Sequence, residues 1–319
     1  GVDNVTLTEI DAITIDLGAG DDTISVAVNA NASIDGGEGT ADTVTLAQGD
    51  YSDDAFSMTN IEEVVISAGD TDLNSVQFAN DNVFELQGTG GTLNVTHLTA
   101  TSSTIDASGV SGKALDLPTG LVLTGNDSVD TITGSEMNDS ISGLDGNDIL
   151  VGGEGVDVIL GGNDIDAING GAGDDNITGG NDVDNLTGGT GADVFVFLDG
   201  ESGNDVATAD TIVDFSTAAA DGDTLDIDGY LIANVATDLT IADGTSFGDF
   251  DDVIASANAQ YANVVGGSVG VHVVYNAIGS GDAYVLIDTD GGKLFGAGDS
   301  VIILTGINTA AEIVAADFI

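Results

Sequence analysis

From Gly125 to Val196 the chain repeats itself every nine residues through eight consecutive units: GNDSVDTIT, GSEMNDSIS, GLDGNDILV, GGEGVDVIL, GGNDIDAIN, GGAGDDNIT, GGNDVDNLT and GGTGADVFV. Position one is always glycine. Position six is always aspartate: Asp130, Asp139, Asp148, Asp157, Asp166, Asp175, Asp184 and Asp193. Position eight is always large and apolar: Ile132, Ile141, Leu150, Ile159, Ile168, Ile177, Leu186 and Phe195. Nine residues match neither the 3.6-residue period of a helix nor the two-residue period of a strand. The period therefore describes a supersecondary unit that stacks on its neighbours to build a core none of the copies could form alone. A flexible Gly/Asp linker has no reason to hold a large apolar side chain in register.

Glycine permits left-handed backbone and close approach, so the first six residues of a unit are expected to curl into a loop with carbonyls turned inward. Aspartate, which tolerates left-handed backbone better than most residues, replaces the position-four glycine at Asp164 and Asp182. Ser128 and Met137 are poorer there, so the first two units are expected to bind weakly or not at all. The last three residues of each unit are expected to form a short strand. Two units complete one turn, so alternate units stack on the same side. That places Asp130, Asp148, Asp166 and Asp184 in one column and Asp139, Asp157, Asp175 and Asp193 in another. Stacked strands lie ~4.8 Å apart, and carboxylates at ~5 Å repel by roughly 3 kcal/mol per pair at an effective dielectric of 20. A bare column opposes its own fold; a hard cation between successive turns converts that repulsion into coordination.

The nonapeptide resembles that of the repeat-in-toxin (RTX), or haemolysin-type calcium-binding, family, GGxGxDxUx. The resemblance implies that the cation is Ca²⁺, held in a parallel β-roll with loop carbonyls completing a shell of six to eight oxygens. Four turns leave three gaps on each side, hence about six sites. The best formed are expected to join Asp157, Asp175 and Asp193, whose units keep glycine at position one (Gly152, Gly170, Gly188), position two and position four (Gly155, Gly173, Gly191).

Composition points the same way. Of 55 acidic residues nine are glutamate, which leaves 46 aspartates. Solubilising charge alone would use both acids, whereas tight cation loops favour the shorter one; adaptation to seawater or brine is the competing explanation. Only Lys113 and Lys293 oppose a net charge of −53, which resists compaction unless cations neutralise it. Nucleic acid is excluded as a partner because nothing could neutralise its phosphates, and an anionic membrane surface is disfavoured for the same reason. Without cysteine there are no thiol-rich zinc or redox sites and no disulfides. No apolar run approaches the ~18 residues of a membrane span, so membrane insertion is not expected. Gly1 opens no basic and apolar leader, so either an N-terminal part is missing or export is directed from elsewhere.

The expected fold is all-β in three parts. Residues 1–124 alternate apolar with Thr, Ser, Asn and Asp, as in VTLTEIDAITIDLG (5–18) and NIEEVVISAG (60–69), and fit a parallel β-helix or a sheet continuing into the roll. Within them GAGDDTIS (18–25) and GGEGTADTV (36–44) are degenerate copies of the repeat and suggest further sites at Asp22 and Asp42. The β-roll occupies 125–196. Residues 197–319 read as a β-rich cap: ADTIVDFSTAAADGDTLDI (209–227) resembles the segment closing the roll in secreted family members, 269–288 reads as a hairpin and 300–307 as a strand. A helix is expected over 249–263, with acids at its N-terminal end. Residues 309–319 place Thr309 and Glu312 at capping-box spacing and end apolar, resembling the uncleaved C-terminal signal of type I export. DTDGGKLFGAGD (288–299) loosely resembles a calcium loop, but Lys293 stands where an EF-hand needs glycine and a surface turn is the better reading.

Catalytic patterns are weak. GGSVG (266–270) satisfies G-x-S-x-G, yet VHVVY after it reads as a strand where a nucleophile elbow needs a helix. His272 is too near Ser268 in sequence to serve as base, and His97 falls in an expected strand. There is no HExxH, the motif of the zinc proteases among the family's relatives, and no phosphate-cradling loop. The chain is therefore read as a non-enzyme. NIEEVVISAG and IDASGVSGKALDL (105–117) resemble stretches of bacterial surface-layer proteins that carry these repeats. That resemblance implies an extracellular structural protein on the bacterial cell surface, exported by type I machinery and self-assembling into a calcium-bridged lattice or filament. The alternatives are the non-catalytic export half of a secreted hydrolase or toxin, and a calcium-dependent adhesin.

Overall fold

A computed structural model of the chain describes residues 3–7, 13–26, 32–38, 42–47, 49–50, 57–61, 63–66, 71–74, 85–88, 93–96, 103–107, 111–112, 120–198, 200–203, 205, 207–218, 221–227, 240–243, 254, 271–275, 282–287, 295, 299–307 and 318. It falls into two compact units. The first comprises Gly1–Leu144 and Ile149–Val158, the second Asp145–Asp148 and Ile159–Ile319.

In the first unit every described strand pair is parallel, as a β-solenoid requires. One sheet runs in the order Asn4–Leu7, Thr23–Val26, Thr43–Leu46, Glu63–Ile66, Glu85–Gly88 and Ser111–Gly112. A second holds Ile13–Asp16, Ala32–Asp35 and Ser57–Thr59. Asn4 faces Thr23 and Thr23 faces Thr43, which gives turns of 19 and 20 residues. Thr43 faces Glu63, Glu63 faces Glu85, and Leu93 faces Leu121 further along, so the turn lengthens irregularly on the way to the roll. Then the spacing locks: Val122 faces Ser140 and Thr131 faces Ile149, each a turn of 18 residues. Strand residues alternate between faces. Ile24, Val26, Ile34, Val44, Leu46 and Met58 are buried, while Thr23 and Ser25 lie outside.

The second unit keeps the same turn where the nonapeptide persists, with Ala167 facing Asn185 and Asn176 facing Val194. The turns then lengthen: Asn185 faces Thr211 and Val194 faces Thr224, at separations of 26 and 30 residues. One sheet orders Val158–Asn163, Asn176–Gly180, Val194–Val196 and Thr224–Asp226. The other orders Ala167–Ala172, Asn185–Thr190, Asp210–Ile212, Ser300–Leu304, Ala283–Ile287, Val271–Tyr275 and Thr240–Asp243. Ser300–Leu304 continues the parallel ladder beside Asp210–Ile212, and the next two strands pair antiparallel as the expected hairpin. In AYVLI and SVIIL every residue is buried, so both faces are covered and the apolar run is continuous rather than alternating. Ala209, Val274, Tyr284, Leu286, Phe295, Val301 and Ile303 cluster there, with Ile254 packed against them.

The strands of the repeat are longer than expected. Ala167–Ala172 and Asn185–Thr190 run from position seven of one unit to position three of the next. The glycine pair thus extends the strand, and only positions four to six form the loop. Positions six, eight and one all face inward, which makes a narrow core of one carboxylate, one aliphatic or aromatic side chain and one bare backbone per unit. All eight position-eight side chains are at most 2% exposed.

Of the expected helix over 249–263 only Ile254 is described, and it is helical. Of the tail 309–319 only Phe318 is described; it is buried and makes an isolated parallel bridge with Leu225. His97, Lys113, Ser268, Asp288, Asp290 and Lys293 lie outside the described residues.

Candidate metal centre

All eight position-six aspartates are buried, none more than 2% exposed. Within each unit of the structure the same bond ties one turn to the next: the backbone N–H of one aspartate donates to Oδ1 of the corresponding aspartate in the following turn. Asp139 N donates to Asp157 at 2.7 Å, Asp148 N to Asp166 at 2.8 Å, Asp166 N to Asp184 at 2.9 Å and Asp175 N to Asp193 at 2.9 Å. Within each compact unit these aspartates therefore stack in the order the period implies, and each accepting carboxylate commits one oxygen to the turn before it.

The second oxygen folds back over the glycine that opens its own unit. A Cβ built on Gly161, Gly170, Gly179 or Gly188 would lie 2.3, 2.5, 2.4 or 2.3 Å from Oδ2 of Asp166, Asp175, Asp184 or Asp193. Position one is glycine for room, not for its φ. Left-handed backbone is confined to positions two and four, as at Gly153 and Gly155, Gly171 and Gly173, and Gly189 and Gly191. Asp164 and Asp182 adopt it at position four with φ of 72° and 80°, in place of glycine. The first two units do not adopt it. There the N–H groups of Asn126 and Ser135 donate to Oδ2 of Asp130 and Asp139 at 2.7 and 2.6 Å, so the second oxygen is already engaged.

In three later units it is not. Oδ2 of Asp166, Asp184 and Asp193 is buried without a hydrogen-bond donor among the described residues. Burial, reinforced by neighbouring carboxylates, pushes Asp166 up to about 8 and Asp184 and Asp193 to about 6. Burial also raises Asp139, against the hydrogen bonds it accepts. A donorless, buried carboxylate oxygen calls for a proton or a cation. No three carboxylate or imidazole groups converge among the described residues, so an ion would take the rest of its shell from loop carbonyls, oxygen donors suited to calcium.

The columns run beyond the register read from the sequence. Asp184 N donates to Asp210 Oδ1 at 2.8 Å, and Asp193 N to Asp223 Oδ1 at 3.0 Å. Asp210 and Asp223 are buried, and burial pushes them up to about 8 and about 7. Asp210 Oδ2 likewise has no donor among the described residues. Asp214 caps the glycine pair of the strand Asn185–Thr190, accepting from Gly188 N and Gly189 N at 2.9 Å each with its two oxygens. On the outer rim, Asn138 Oδ1 accepts from Val156 N at 2.9 Å and Asp174 Oδ1 from Ala192 N at 2.8 Å, binding position five to position five of the next turn.

Residues 124–159 and 160–195 match the RTX calcium-binding nonapeptide repeat. These segments are RTX repeats, and calcium is the ion that such repeats take. No curated protein matches the chain.

Proposed function

We propose that the chain is an extracellular, calcium-dependent structural protein that assembles with copies of itself into a surface layer or similar ordered array. RTX repeats are typical of secreted proteins and of type I export, and no helix among the described residues is long and apolar enough to cross a membrane. Calcium is millimolar outside cells, where extracellular modules bind it in that range, and folding there is coupled to binding.

The observation that carries the reading is the division of the acids. Position-six aspartates are inside, where calcium folds the chain. Asp127, Glu136, Asp145, Glu154, Asp164, Asp174 and Asp182 stand exposed on the loops, with two lysines in the whole chain to oppose them. Two copies can meet at such faces only with divalent ions between them. Outward-facing Ile149, Val156 and Val158 are 50, 49 and 53% exposed and offer apolar side chains for the same contacts.

Electron microscopy of the purified chain is expected to show an ordered sheet or filament in millimolar calcium that disperses on chelation. Separate monomers at every calcium concentration would instead favour the export module of a secreted hydrolase or toxin, or an adhesin.

A further inference from the structure

We propose that the first unit contains a further calcium site, outside the nonapeptide run, built from the loop Gly18–Asp22 and the carboxylates of Asp22 and Asp42. The proposal rests on calcium being the ion of the roll; it does not depend on assembly.

The loop reproduces the geometry of the repeat without its spacing. Gly18 and Gly20 take left-handed φ of 90° and 130°, two residues apart, as Gly171 and Gly173 do at 110° and 134°. Glu38 N donates to Gly18 O at 2.6 Å and Gly20 N to Glu38 O at 3.0 Å. The same two bonds join stacked loops of the roll, from Asn181 N to Gly162 O and from Gly173 N to Thr190 O, both at 2.8 Å. A Cβ on Gly37 would sit 2.0 Å from Gly18 O, the value found between Gly189 and Gly171 O. One on Gly36 would meet Asp42 Oδ2 at 2.9 Å, as position-one glycines meet their own aspartates.

The carboxylates follow the same plan. Asp22 N donates to Asp42 Oδ1 at 2.7 Å, and Asp3 N donates to Asp22 Oδ1 at 2.5 Å. Asp22 is 0% exposed, and its Oδ2 has no hydrogen-bond donor among the described residues. That buried, donorless oxygen is what makes the loop a site rather than a turn with acids in it. From Thr23 to Thr43, as from Asp22 to Asp42, the turn takes 20 residues, and Asp42 follows Gly36 by six positions instead of five. The nonapeptide register therefore fails here, and the match to the repeat begins only at residue 124.

The test is hydrogen exchange by mass spectrometry on the full chain, in calcium and in chelator, read in peptides covering 17–26 and 148–196. Calcium is expected to slow exchange at 17–26 roughly tenfold, the protection given by an ion at about ten times its Kd. The slowing is expected to persist in the double variant Asp166→Asn, Asp184→Asn, which damages the roll alone. It is expected to vanish in Asp22→Asn and, as an independent check on folding of that variant, in Asp42→Asn, with 148–196 still protected in both. Protection of 148–196 without any at 17–26, or slowing at 17–26 that disappears with the roll variant or survives both Asp22→Asn and Asp42→Asn, would overturn this site and leave the roll intact. Calcium that slows exchange nowhere would overturn the roll reading and this site together.

Discussion

In chelator, the repeat is expected to be more stable at pH 5 than at pH 8, and calcium is expected to reverse that order. The carboxyls of Asp166, Asp184, Asp193, Asp210 and Asp223 are raised to about 8, 6, 6, 8 and 7, chiefly by burial. An unfolded aspartate titrates near 4. Between pH 4 and 8 the ion-free fold thus binds more protons than the unfolded chain, and its stability falls as pH rises through that window. Ordinary surface carboxylates have largely ionised by pH 5, so the loss between pH 5 and 8 belongs to the buried columns. Calcium takes the place of the protons, and its binding strengthens as they leave. At a thousandfold above its Kd an ion adds about 4 kcal/mol per site, or roughly 10 °C in melting midpoint for a chain of this size. Thermal melts at the two pH values, with calcium and with chelator, check this. A midpoint in chelator that is flat or rises from pH 5 to 8 would contradict it.

Gly189→Ala is expected to cost about 3 kcal/mol or more and to open the roll at its last turns, whereas Gly200→Ala is expected to cost about 1 kcal/mol. Both glycines are left-handed, with φ of 105° and 86°, so both substitutions incur the conformational penalty of an L side chain there. They differ in surroundings. A Cβ on Gly189 would lie 2.0 Å from Gly171 O, a backbone atom with no freedom to move aside, while one on Gly200 would meet nothing within 4 Å. The difference between the two variants, read from denaturant midpoints in calcium, isolates the cost of separating stacked turns. Equal losses would mean that close stacking contributes little.

What the sequence made legible follows from turn length. Where each turn takes two nonapeptides, the period itself revealed which aspartates stack within a unit, the buried Ile, Leu and Phe at position eight and the left-handed residue at position four; the left-handed position two, held even by Leu144, was not marked out. Asp210 and Asp223 went unseen because excursions stretch their turns to 26 and 30 residues and erase the period. A local signal survives, the run Asp-Thr-aliphatic, shared by Asp22-Thr23-Ile24, Asp130-Thr131-Ile132, Asp210-Thr211-Ile212 and Asp223-Thr224-Leu225. In each the aspartate and the aliphatic residue face inward with threonine between them. Asp214 carries no such mark: among 46 aspartates nothing local distinguishes the one that caps Gly188 and Gly189. The strand length was misjudged because glycine reads as a strand breaker, yet inside the roll a side-chain-free position is what the folded-back carboxylate requires. The buried run AYVLI was placed correctly as a strand, but its burial on both faces depends on residues distant in sequence.

Whether ions lodged between successive turns hold the repeat together can be read from anomalous diffraction by crystals grown in calcium. The expected result is calcium peaks in the loops of residues 143–196, each within coordination distance of a position-six aspartate and of loop carbonyls. An ordered roll whose loops hold no calcium peak, under millimolar calcium at pH 8, would contradict it.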